Sequence, residues 1–96
     1  MLKDITHKSF ESIVGETVEL KAGDASFQAV VETVSLLRQN SGPGRQPFSV
    51  ELQAHEDVSH GQQMYQLSHP GLGELNLFMV PVGPGKRGMC YEIVFN

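Results

Sequence analysis

Alternation of apolar and polar residues is the feature that most constrains the fold of this chain. It is clearest over residues 48–54, where every second residue from Phe48 to Ala54 is apolar. Successive side chains of a β-strand point to opposite sides, so a period of two predicts a strand with one buried face. Comparable runs, separated by turn-forming segments, lie at 16–22, 27–37, 65–68, 75–82 and 89–95. The sequence therefore predicts a mainly β fold, a small six-stranded antiparallel barrel or sandwich.

One short N-terminal helix is predicted before the first strand. Thr6 suits its N-cap, and Gly15 suits the left-handed residue that ends it. Phe10, Ile13 and Val14 fall on one helical face. A helix this short is marginal alone, so we expect its apolar face to be covered by the sheet.

The second predicted strand changes the phase of its alternation. Phe27, Ala29 and Val31 share one face, whereas Val34 and Leu36 take the other. A β-bulge between Val31 and Val34 explains this change. A continuous helix is the alternative, but the β-branched residues of this run favour a strand.

Length and charge narrow the function classes. Ninety-six residues form one domain, residues 1–96, and the net charge of −4 opposes nucleic-acid binding and docking on anionic membranes. No apolar run approaches the roughly 20 residues of a membrane helix, and the N-terminus lacks the apolar core of a secretory signal. Cys90, the single cysteine, cannot form an internal disulfide. The expected location is the cytoplasm.

The polar segment 55–61 contains the densest cluster of possible metal ligands. His55, Asp57 and His60 supply imidazole and carboxylate groups, which bind divalent metals. Their spacing matches no established metal motif. A metal-dependent hydrolase is thus a distant alternative, and the sequence predicts a solvated loop and no cofactor.

No catalytic set emerges elsewhere. Cys90 would need a neighbouring histidine to act as a nucleophile, and the sequence places none beside it. Lys86 and Arg87 lie in a glycine-rich loop that lacks the strand–loop–helix context of phosphate sites. His69-Pro70-Gly71 is typical of a tight turn. The sequence therefore predicts a protein that is not an enzyme.

The last two strands carry more apolar residues than one core face requires. Residues 75–82 are apolar on both faces, and one short helix cannot cover the second face. Exposed apolar strand surface usually marks an interface. We therefore expect a protein partner or self-association at a surface formed by Phe78, Val80, Val82, Cys90 and Val94.

A small-molecule-binding barrel is the main alternative to a protein-binding module. It requires an inner cavity rather than a packed interior. The residues predicted to line such a cavity are Tyr65, Met79, Met89 and Tyr91.

The C-terminal segment HPGLGELNLFMVPVGPGKRGMCYEIVFN resembles the end of a small uncharacterised bacterial domain family. Its members are similar in a His-Pro-x-Leu-Gly turn, a Leu-Phe-x-Val-Pro-Val-Gly-Pro strand and a closing Tyr-Glu-x-Val-Phe-Asn. The segments THKSFESIVGETVEL and QPFSVEL also fit, so the resemblance covers most of the chain. It implies no established activity. The association of such genes with genes for phage-tail collar-like proteins implies a structural or accessory role in such an assembly.

Overall fold

A computed structural model describes residues 5–37, 46–55 and 61–95. Within these residues the chain forms a short helix followed by strands, in the order that the sequence pattern predicts. The elements are α1 (His7–Glu11), β1 (Thr17–Ala22), β2 (Ala25–Leu36), β3 (Phe48–Ala54), β4 (Gln63–His69), β5 (Gly73–Pro84) and β6 (Met89–Phe95).

The strands form a closed antiparallel barrel in the order β1-β2-β3-β6-β5-β4. Closure comes from β1 and β4, which pair at Leu20 and Leu67. Of the two predicted architectures, barrel and sandwich, the chain therefore forms the barrel. The order is not a simple meander, because the chain leaves β3 for the non-adjacent β4 and β6 later pairs with β3.

The barrel interior holds the apolar residues that the alternation assigned to the inner face. Tyr65 and Tyr91 are fully buried, and their ring centroids lie 5.8 Å apart. Phe27 contacts both, with centroid distances of 5.9 Å to Tyr65 and 5.6 Å to Tyr91. The other strand residues of this core are Val18, Leu20, Ala29, Val31, Phe48, Val50, Leu52, Ala54, Leu67, Leu75, Leu77, Met79, Ile93 and Phe95.

Helix α1 packs against buried core residues of the barrel rather than against the outer face of the sheet. Phe10 is fully buried, with its ring 5.5 Å from that of Phe95 and 6.4 Å from that of Phe48. Phe48 and Phe95 pair across β3 and β6, and their rings stack at 4.5 Å. The helix therefore leaves the outer faces of β5 and β6 to solvent.

The helix is shorter than its apolar pattern predicts. Thr6 is extended, as an N-cap residue should be, and its N–H donates to Ser9 Oγ at 3.2 Å. The helix ends at Glu11, so Ile13 and Val14 lie in the following turn, where Ile13 is buried and Val14 is 48% exposed. The prediction that Val14 belongs to the apolar face is therefore wrong.

The bulge predicted in β2 is confirmed. Its register with β3 shifts between Val31 and Thr33. Beyond the shift Val34 pairs with Val50, a core residue, and is itself partly buried. The extra residue thus returns Val34 to the inner side, whereas Leu36 at the end of the strand is half exposed.

The β4–β5 connection is the tight turn that its proline predicts. Leu72 N–H donates to His69 O at 3.1 Å, and the strands resume pairing at His69 and Gly73. Gly73, with φ of +79°, takes the left-handed conformation, whereas the sequence suggests Gly71 for this role. No helix among the described residues has the length and apolar character needed to span a membrane.

Candidate functional site

The residues predicted to form an interface do lie on the outer face of β5 and β6. Phe78 and Val94 are each 50% exposed and Val82 is 48% exposed, whereas Val80 and Cys90 are half-buried. An apolar side chain that is half exposed retains much of its contact with water, so covering it is favourable.

Met64 extends this apolar surface onto β4, and the sequence reading missed it. Its side chain is 56% exposed and pairs across the strands with Phe78. The signal was available, because Tyr65 and Leu67 point inward and a period of two therefore points Met64 outward.

Met64, Phe78 and Val94 form the apolar part of a groove of about 460 Å³ on the outer surface. We call it the seam groove, and its remaining outward-facing lining residues are Asn76, Val80 and Glu92. Glu92 is the charged residue among those lining the groove, and no Lys or Arg of the described chain lines it. The groove is therefore apolar at its centre and acidic at one end.

The seam groove lies where the pairing of β5 with β6 stops. The ladder runs from Pro84↔Met89 to Val80↔Glu92. Continuing it would place Phe78 opposite Val94, but among the described residues no part of β5 before Val80 pairs with β6. The two strands are joined at one end of the seam and part at the other.

Core residues form the floor of the groove, since Leu77, Ile93 and Phe95 also line it. Leu77, Met79 and Ile93, which alternate with the outward-facing residues, are between 0 and 4% exposed. Their side chains point to the inside of the barrel and fill it. The seam groove is thus a surface feature with a packed floor, suited to an apolar side chain of another molecule.

Cys90 belongs to a different cluster, although the sequence grouped it with Phe78 and Val94. Its Sγ donates to Gln53 Oε1 at 3.3 Å, and Gln53 Nε2 donates to the carbonyls of Gly88 and Ala54, each at 2.8 Å. A Cβ on Gly85 would collide with Gln53 Oε1 and Cys90 Sγ. Cys90 and Gln53 therefore form a packed polar support beneath the β5–β6 turn.

The environment of Cys90 opposes nucleophilic chemistry. Burial raises the pKa of its thiol, and the carboxylates of Glu51 and Glu32 raise it further. The hydrogen-bond partner of the thiol is Gln53, whereas the imidazoles of His7 and His69 bond to Glu11 and Glu16. The thiol is thus kept protonated near neutral pH.

His69 links two turns. Its Nδ1 accepts a hydrogen bond from Gly71 N–H at 2.9 Å, and its Nε2 lies 2.8 Å from Glu16 Oε1. Because Nδ1 accepts, Nε2 carries the proton of the neutral ring and donates to Glu16. A second outer groove of about 550 Å³ adjoins this contact, with Thr17, Glu19, Gln28 and Ser68 among its lining residues.

The predicted metal ligands are not brought together in the part of the chain that the structure describes. His55 is exposed at the end of β3, whereas Asp57 and His60 lie outside the described residues. Over 5–37, 46–55 and 61–95, no group of three His, Cys, Asp or Glu side chains is placed to hold a metal ion. The metal-site hypothesis gains no support from these residues.

Lys86 and Arg87 line a third groove, of about 580 Å³, together with Glu32. A carboxylate beside two cations lowers the local positive potential that an anionic ligand would need. This arrangement does not favour the binding of an anion by Lys86 and Arg87.

Three of the four residues proposed to line a ligand cavity are fully buried. Tyr65, Met79 and Tyr91 are at most 1% exposed, and Met89 packs on the core while partly buried. Tyr65 OH donates to Gly61 O at 2.6 Å, and burial raises the pKa of this phenol. These side chains act as packed core, and the ligand-binding alternative remains a prediction.

Comparison with known proteins places almost the whole chain in one family. Residues 5–95 match the model of a family described as a domain of unknown function, DUF6916. No curated protein and no solved structure matches the chain significantly. The chain therefore belongs to the DUF6916 family, and the barrel with its seam groove is the structure of a DUF6916 domain.

Proposed function

We propose that this domain is a non-enzymatic protein-binding module that uses the seam groove as its contact surface. The observation that carries the proposal is the exposure of Met64, Phe78 and Val94 on three adjacent strands around one groove. Isolated exposed apolar residues are common on soluble proteins, whereas apolar residues grouped around a concavity mark binding sites.

The chemistry of the other polar clusters supports a binding role over catalysis. Cys90 bonds to Gln53 and carries a thiol whose pKa is raised, and His69 is engaged at both ring nitrogens. An activated nucleophile needs a lowered pKa or a base beside it. Neither side chain offers that arrangement.

A structural or accessory role in a phage-tail-like assembly, in the cytoplasm of a bacterium, is the specific form of this proposal that the family resemblance suggests. In such a role the domain would contact a collar-like protein through the seam groove. The anionic balance of the chain, −4, supports a protein rather than a nucleic acid as partner.

The test is quantitative co-purification from a bacterial host of the family, with each variant of the domain as bait. Phe78→Ser and Val94→Ser should each lose a specific partner, because each replaces a half-exposed apolar side chain of the groove. Leu36→Ser is the matched control, since Leu36 is 53% exposed and lies outside the groove lining. Recovery of the same proteins by all three variants would contradict the proposal.

A further inference from the structure

We infer that the seam groove binds an extended segment of the partner, in which an apolar residue and a basic residue are separated by one residue. The inference rests on the proposed protein-binding function and specifies the partner's chemistry. It follows from the parting of β5 and β6, the shape of the groove and the position of its one carboxylate.

The parting strands favour an extended occupant. On the Phe78 side, β5 continues from Val80 back to Gly73 without pairing to β6, and on the other side β6 continues past Glu92 to Val94. The groove therefore runs along two strands, parallel to their axes. An extended peptide that follows the groove can place alternate side chains in it, as strand-like ligands do on sheet surfaces.

The spacing of apolar and acidic positions defines the partner's pattern. Val94 and Glu92 lie two residues apart on β6, which separates their side chains by about 7 Å on one face of a strand. In an extended partner, side chains two residues apart have the same separation. An apolar side chain between Phe78 and Val94 thus brings a neighbour at that spacing beside Glu92.

The charge at the end of the groove selects a cation. Glu92 is half-buried and pairs across the strands with Glu51, so two carboxylates face each other at this end. Like charges directly opposite each other are unfavourable, and a Lys or Arg side chain between them relieves the repulsion. Asn76, which lines the groove on the β5 side, offers an amide for hydrogen bonding to the partner.

The same charges argue against a second copy of this chain as the occupant. A two-fold dimer through the seam groove would join the same surface of both copies. The carboxylates of Glu51 and Glu92 would then find no Lys or Arg in the groove lining of the second copy to offset their charge.

The test is selection from a displayed library of random eight-residue peptides on the immobilised wild-type domain, followed by fluorescence anisotropy of labelled selected peptides. We expect enriched peptides to carry an apolar residue and a Lys or Arg two positions apart. Phe78→Ser and Val94→Ser should weaken their binding about tenfold or more, whereas Leu36→Ser should leave it unchanged. Glu92→Gln should weaken it about two- to fivefold and reduce its salt dependence.

Selection with Glu92→Lys as bait provides the sharpest contrast. The preferred basic residue should then give way to Asp or Glu at the same spacing. Enrichment of peptides without the apolar-x-basic pattern, or binding that Phe78→Ser and Val94→Ser do not weaken, would overturn the inference.

Failure of the inference and failure of the proposed function give different results. If no patterned peptide is enriched but Phe78→Ser still loses a partner in co-purification, the groove binds protein in another way and only the extended-segment inference is wrong. If the variants lose neither peptides nor partner, both are wrong. A wild-type domain that forms a concentration-dependent dimer, abolished by Val94→Ser, would identify a second copy as the occupant and likewise refute the inference.

Discussion

Removal of the Phe10 ring tests how the short helix is held to the barrel. Phe10 is fully buried, and its ring contacts those of Phe48 and Phe95. Truncation of a buried Phe to Ala costs about 3–5 kcal/mol, the sum of lost transfer free energy and the cavity left behind. Small domains have a free energy of unfolding of about 5–15 kcal/mol, so Phe10→Ala should remove a large fraction of it.

The assay is urea unfolding followed by circular dichroism. With a slope of about 1.5 kcal/mol per M, a loss of 3 kcal/mol lowers the unfolding midpoint by about 2 M. Val14→Ala is the matched control, because Val14 lies in the turn after the same helix but is 48% exposed. It should change the free energy of unfolding by about 0.5 kcal/mol or less. Equal midpoints for both variants would refute the assignment of Phe10 to the core, and an unchanged barrel transition with loss of the helical signal alone would show that α1 detaches independently.

Three further predictions concern the polar clusters. Gly85→Ala should destabilise the fold by about 1–3 kcal/mol in urea, because its Cβ collides with Gln53 and Cys90, whereas unchanged stability would mean that this support is loosely packed. Alkylation of Cys90 by iodoacetamide should reach half its maximal rate at a higher pH in the folded than in the urea-unfolded chain, since burial first and then Glu51 and Glu32 raise the pKa of the thiol. The contribution of this thiol to the free energy of unfolding is therefore fully present when the pH is below the pKa of the thiol in the unfolded chain, and it falls as the pH rises above that value. A lower half-maximal pH for the folded chain than for the unfolded chain would contradict this environment. Nitrogen-15 NMR should show that neutral His69 carries its proton on Nε2, because Nδ1 accepts from Gly71 N–H, and a proton on Nδ1 would exclude that hydrogen bond.

The strands and their inner faces could be predicted because they depend on local alternation. Val50, Leu52 and Tyr91 alternate with polar or exposed neighbours, and each is fully buried. The bulge in β2 was also predictable, because an extra residue must reverse the phase of the pattern before Val34. The start of the helix at Thr6 and the left-handed Gly15 follow from local backbone preferences in the same way.

Features that depend on pairing between distant strands could not be predicted. Alternation does not reveal that β1 pairs with β4 and β3 with β6, and thus that the barrel closes. Gln53 lies on the outer side of β3, yet it is only 6% exposed because the β5–β6 turn covers it. Val14 reads as part of the helix face, but the helix ends before it.

The candidate site was predictable only where it depends on local alternation. The outward positions of Phe78 and Val94 follow from the alternation in β5 and β6, and both are half exposed. The separation of Cys90 from them depends on Gln53, which is 37 residues away in sequence. The groove itself depends on where β5 and β6 stop pairing, which no local pattern encodes.

Amide hydrogen exchange on the complex tests the central claim that the seam groove is the protein-binding surface. The domain is measured alone and with the partner or the selected peptide bound. Exchange should slow most at Phe78, Met79 and Val94, beside the groove, and remain unchanged in β1. Slowing confined to the groove around His69 and Thr17, with none at Phe78 or Val94, would contradict the claim.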